Sequence, residues 1–170
     1  MKYYQQLGVN DCAPACLAMV SSHYHSYISI GDIRKLCKTD SMGTNLAGLI
    51  TATEKLGYKA KADKGEISDT SLDAKLAFPF IAHIKIEYLG KIYDHFVVIK
   101  SVNKTKIEVW DPNPENGKHF VKREDFLKIW TGYVLFLYPD TSFVPENKKG
   151  SLLFKYAPLL LPHKKNIYNY

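Results

Sequence analysis

The stretch QQLGVNDCAPACLAMVSSHY, residues 5–24, decides how the rest of the chain is read. It sets Cys12 and Cys16 one helical turn apart, with Pro14 between them, where a helix is expected to begin. Proline is tolerated in a first turn because its missing N–H would have no intrahelical partner there, and Asn10 or Asp11 is available as a cap. Leu17, Ala18 and Val20 supply apolar positions, so the pattern predicts a helix over 12–23.

Working outward, a second short helix is predicted over 30–38, opened by Ser29 or Asp32. In a third, Thr44 or Asn45 caps a run in which Leu46, Leu49, Ile50 and Leu56 share a face, and Gly57 closes it. The period then changes. FPFIAHIKI (78–86), HFVVIKSV (95–102), KIEVWD (106–111), KHFV (118–121) and YVLFLY (133–138) are rich in β-branched and aromatic residues and are separated by turn chemistry such as PNPENG. REDFLKIW (123–130) reads as one short helix among them. Helices first and antiparallel strands afterwards make the expected fold class α+β, with the opening helix packed on the sheet.

An apolar fraction of 46% in 170 residues fits one domain with a sizeable core. That domain is expected over residues 1–140. Residues 141–170 are expected to be a linker, polar at first and then apolar, lysine-rich and broken by proline in SLLFKYAPLLLPHKKNIYNY. No run of about eighteen apolar residues occurs and no apolar run follows Lys2, so neither a membrane span nor a signal peptide is expected. The net charge of +6 is spread along the chain rather than gathered, which argues against a nucleic-acid partner. Three cysteines in a chain of this size fit reduced thiols in the cytosol, not a disulfide framework.

A thiol attacks as thiolate, and a helix N-terminus favours that anion through its dipole and unpaired N–H groups. Cys12 occupies that place. Cys16, a turn further in, reads as core. Attack on an acyl carbon also requires a base and a donor for the developing oxyanion. An amide side chain a few residues upstream suits the second role, which Gln6 or its neighbour Gln5 can fill together with the Cys12 N–H. Of six histidines, His83 and His95 lie on predicted strands away from the nucleophile's own helix, the tail and the loop before His119.

Hairpin register favours His95. With NKT (103–105) as a three-residue turn, 101 faces 107, 99 faces 109 and 97 faces 111, so His95 and Asp111 become diagonal neighbours on one face. A carboxylate there would fix the imidazole tautomer and stabilise the imidazolium. A zinc or thioredoxin-type site is not expected, because the cysteines are spaced C-x3-C with no second ligand pair.

The motif Q-x5-C from Gln6 to Cys12, the run DCAPACLAMV, and then DHFVVI and WDP occur in order, and together they resemble the C39 peptidase family. This is the papain-like domain at the N-terminus of bacterial peptidase-containing ABC exporters. The resemblance covers about residues 1–140 and departs from the usual pattern at Ala13, where glycine commonly follows the cysteine.

It implies a papain-like cysteine peptidase fold. It also implies an activity: removal of leaders after a Gly-Gly or Gly-Ala site from bacteriocin, lantibiotic or pheromone precursors, coupled to export. Residue by residue, Cys12 matches the nucleophile, His95 the base, Asp111 its orienting carboxylate and Gln6 the oxyanion-hole glutamine. The implied partners are a precursor with an amphipathic leader helix and the transmembrane and nucleotide-binding domains of the same exporter. The implied setting is the cytoplasmic face of a bacterial membrane, with two copies in a full exporter. No cofactor is expected for the peptidase step, ATP belonging only to the ATPase domain. The competing expectations are a non-catalytic leader-binding module, which the presence of Cys12, His95 and Asp111 argues against, and a freestanding papain-like enzyme.

Overall fold

A computed structural model describes residues 1–65 and 78–146. Three helices come first: α1 (Cys12–His23), α2 (Ile30–Cys37) and α3 (Leu46–Lys55). Strands β1 (Tyr58–Lys64), β2 (Phe80–Tyr88), β3 (Lys91–Val102), β4 (Lys106–Trp110) and β5 (Lys118–Lys122) follow, then α4 (Arg123–Ile129) and β6 (Trp130–Pro139). The strands form one antiparallel sheet in the order β1-β6-β2-β3-β4-β5.

α1 has the predicted limits, and its setting explains why it carries little amphipathic signal. Every residue from Cys12 to Ser22 is buried, because α2 and α3 cover one side and Phe96, Val98 and Ile81 of the sheet cover the other. A helix enclosed all round shows no polar face. The opposite side of the sheet has its own core, in which Phe126 of α4 and Trp130 pack on Phe80, Val97, Ile99, Ile107 and Val109. The cap choices resolve in favour of Ser29 and Asn45, whose side chains accept from the N–H groups of Asp32 and Gly48. Gly57 closes α3 with a φ of 83°, a conformation that glycine adopts without a Cβ clash.

The strand readings need three corrections. β1, YKAKADK, was not expected: only Tyr58 is buried along it, so no apolar alternation marks it. It exists as an edge strand through its pairing with β6. β3 begins at Lys91 rather than His95, because the chain turns tightly at Leu89 and Gly90 and extends the β2–β3 hairpin. The turn after β3 is wider than NKT alone: Val102 faces Ile107 and Ser101 faces Glu108, not 101 facing 107. A bulge at Lys100 then absorbs one residue, restoring the expected pairs Ile99 with Val109 and Val98 with Trp110. The alignment of His95 with Asp111 therefore depends on that bulge.

Beyond β6 the chain returns to the helices. Phe143 packs against Tyr58 with the rings tilted and their centroids 4.6 Å apart, Tyr27 N–H donates to Glu146 O at 2.7 Å, and Glu146 N–H donates to Ser26 Oγ at 3.1 Å. The linker expected over 141–170 lies, from residue 147 onward, outside the described residues. Among the described residues no helix is long and apolar enough to cross a membrane.

Candidate active site

Cys12 is the first residue of α1 and is 8% exposed. Neither expected cap is made. Asp11 holds the N-cap position, but its buried carboxylate pairs with Arg34 of α2, and the Asn10 amide donates to Ser41 O at 3.0 Å. The first turn of α1 thus keeps N–H groups that no capping side chain occupies. Cys16 is fully buried and donates its thiol to Phe96 O at 3.2 Å; burial pushes its pKa well up. Burial also pushes Cys37 up to about 12. Both behave as core thiols.

His95 lies beside Cys12 and turns its Nε2 to Asp111 Oδ1 at 2.7 Å, leaving Nδ1 as the other ring nitrogen. Burial opposes an imidazolium here. Hydrogen bonding to Asp111 and to Cys12, reinforced by their charges, outweighs burial and raises the pKa to about 9. Asp111 stands one residue beyond the end of β4 and is itself buried. Burial pulls its pKa up, but His95, the Asn113 N–H and the Asn116 amide hold the carboxyl below its ordinary value. The N–H of Asn113 reaches Oδ1 at 2.8 Å, and the Asn116 Nδ2 reaches Oδ2 at 2.8 Å.

Gln6 is half-buried and Gln5 exposed. The Gln6 N–H donates to Pro112 O at 2.9 Å, pinning this residue against the loop that follows Asp111. Its Oε1 is buried without a hydrogen-bond partner. His83, the other strand histidine, is engaged elsewhere: Nδ1 meets Thr131 Oγ1 at 2.8 Å and Nε2 lies 3.4 Å from Asp94.

Four contributors were not singled out by sequence. Asn113 and Asn116 sit in the PNPENG turn, whose asparagines bind carboxylates as readily as they form turns, so a signal existed but was ambiguous. Tyr3, whose hydroxyl donates to Asp111 O at 2.6 Å, and Arg34, which neutralises Asp11, carry no local signal because their partners are distant in the chain.

The model of the peptidase C39 family matches residues 1–142. The chain belongs to the peptidase C39 family. Its C39 sequence is 34% identical over 167 residues to the transport/processing ATP-binding protein ComA of Streptococcus pneumoniae strain R6, covering 98% of this chain and 23% of that protein. It is 35% identical over 161 residues to the lactococcin-G-processing and transport ATP-binding protein LagD of Lactococcus lactis, covering 95% and 22%. The C39 chain thus spans less than a quarter of the length of these curated relatives.

Among solved structures, the peptidase domain of Streptococcus ComA superposes with a TM-score of 0.74 at 33% identity, over 82% of this chain and all of that one. A double glycine motif protease from an AMS/PCAT transporter, in complex with its leader peptide, superposes with a TM-score of 0.70 at 25% identity, over 81% and 91%. The C39 fold is therefore the α+β, papain-like one expected from sequence.

Proposed function

We propose that this C39 domain is a cysteine endopeptidase that removes the leader of a secreted peptide precursor after a Gly-Gly or Gly-Ala pair, in step with export by an ABC transporter. The observation that carries the reading is Cys12 at the mouth of α1 beside a His95 that is held by Asp111 and carries a raised pKa.

In the reaction, Cys12 Sγ attacks the carbonyl carbon of the second small residue while His95 is an imidazolium. The oxyanion receives the Cys12 N–H and the Gln6 amide. Collapse breaks the C–N bond as His95 gives its proton to the leaving amine, which departs as the N-terminus of the mature peptide. A water then gives His95 a proton and attacks the thioester carbonyl. The leader leaves with a new carboxylate and the Cys12–His95 pair is restored. Asp111 stays ionised throughout and holds the ring in place. This chain's own groups supply every proton transfer, so the peptidase step calls for no cofactor.

Selection of two small residues follows if the slot beside Cys12 is too narrow for a larger side chain. The leader would dock as an amphipathic helix on an apolar surface. The names of the relatives support a role in processing and ATP-linked transport; on this reading the domain works at the cytoplasmic face of the membrane, joined to transmembrane and nucleotide-binding domains in an exporter of two copies. The test is mass spectrometry of a leader-core peptide with a Gly-Gly junction, incubated with the chain and with Cys12→Ala. The expected result is a cut after the second glycine that the variant does not make. Binding without cleavage by either protein would favour a leader-recruiting module.

A further inference from the structure

The β2–β3 hairpin outruns the sheet that carries it. β6 pairs with β2 only at Ile81, Ala82 and Ile84, and β4 pairs with β3 only between Val98 and Val102. Residues 85–88 and 91–94 therefore pair with each other alone among the described residues. An unsupported two-stranded ribbon is marginally stable in water, yet this one is not polar. Tyr88, Leu89, Ile92 and Tyr93 are exposed at 63%, 84%, 69% and 45%. Exposed apolar side chains gathered at one place mark a surface that something else covers.

Cross-strand pairing sorts the arm into two faces. Directly opposed residues share a side, so His95 with Ile84, Tyr93 with Ile86 and Lys91 with Tyr88 lie on one, while Asp94 with Lys85 and Ile92 with Glu87 lie on the other. The first face runs outward from His95 and is apolar until Lys91 at its tip. The second carries Lys85, Glu87 and Asp94.

In the proposed reaction His95 gives its proton to the leaving amine, so the peptide that begins at that amine starts beside the base of the first face. We propose that Ile86, Tyr88 and Tyr93 bind the first residues of the mature peptide, immediately C-terminal to the scissile bond, and select apolar or aromatic side chains there. This deepens the peptidase reading and rests on it. Same-face positions repeat about every 6.6 Å along a strand, so an extended product segment lying on the arm would set alternate side chains against it.

The experiment compares two substrates that share a leader and a Gly-Gly junction. One continues into four apolar or aromatic residues; the other ends at the junction in a small chromogenic amide. The chain variants are the double substitution Tyr88→Ser with Tyr93→Ser, and Ile92→Ser as a control on the opposite face of the same arm. The double variant is expected to lose about tenfold in kcat/KM on the extended substrate and nothing on the truncated one, with Ile92→Ser equal to wild type on both. An equal rate on the extended substrate, or the same loss on both substrates, would overturn the proposal, the latter assigning the arm to the leader.

If the unsubstituted chain cut neither substrate, the peptidase reading would fail separately. Binding of the mature N-terminal segment to Cys12→Ala, followed by amide NMR, would still decide the arm. Saturable shifts confined to residues 84–95 support it; shifts elsewhere or none reject it.

Discussion

The Nε2 of His95 stands 2.7 Å from Oδ1 of Asp111, and no oxygen of that carboxylate is left idle, since the Asn113 N–H shares Oδ1 and the Asn116 amide holds Oδ2. A carboxylate fixed at both ends can turn the imidazole in one direction only. Asp111→Asn presents a donor where an acceptor is needed and is expected to lower kcat on the order of 100-fold, with leader binding unchanged. Asn116→Ala removes one charge-assisted bond and is expected to cost about tenfold in kcat. It should also move the high-pH limb of the rate profile, because Asn116 acts through Asp111; an unmoved limb would make its role structural.

The pH dependence follows from the raised pKa of His95, about 9. Its imidazolium form persists through neutrality, and activity is expected to fall as pH rises through about 9. Because the folded value lies above the ordinary histidine value near 6.5, the linked stability is fully present below about pH 6.5 and is lost as pH climbs toward 9. Histidine NMR checks this directly: the His95 midpoint should fall in Cys12→Ala and in Asp111→Asn, since each removes a contribution that raises it.

Asp11 and Arg34 form an ion pair in which the Asp11 side chain is almost wholly buried and the Arg34 side chain is 41% exposed. Arg34→Met leaves a buried charge one residue from the nucleophile and is expected to destabilise the fold by about 2 kcal/mol. Asp11→Asn in the same chain should recover most of the loss. Urea unfolding of both singles and the double measures the coupling, and additive effects would show that the pair contributes nothing.

Gly48 lies where α3 meets the end of α2, and a Cβ built on it would come within 2.5 Å of Cys37 O. Gly48→Ala is expected to force the helices apart at a cost of about 1–3 kcal/mol in stability, read by thermal or urea unfolding.

The legible parts of the molecule were those fixed by neighbouring residues. The limits of α1 and the Gly57 stop of α3 follow from short-range pattern, whereas the pairing of Ile99 with Val109 holds because the Lys100 bulge offsets a turn longer than expected. β1 escaped because an edge strand of alternating lysine and alanine has no buried face to advertise. The Gln6–Pro112 backbone bond, which joins residues far apart in the chain, leaves no local signal. Distance along the chain likewise hid Tyr3 and Arg34, whereas Asn116 lies five residues from Asp111 in a turn whose signal was ambiguous. Of the site, the place of Cys12 at a helix mouth and the approach of His95 to Asp111 could be read from sequence, whereas the groups that hold them there could not.

The most direct measurement is to react the folded chain with a leader peptide ending in a glycyl chloromethyl ketone and map the modified residue by peptide mass spectrometry. Cys16 and Cys37 are buried, with thiols pushed up in pKa, so neither should compete. The expected result is a single adduct on Cys12, formed slowly or not at all in His95→Ala. An adduct on Cys16 or Cys37, or labelling of Cys12 at the same rate with and without His95, would contradict a Cys12–His95 peptidase.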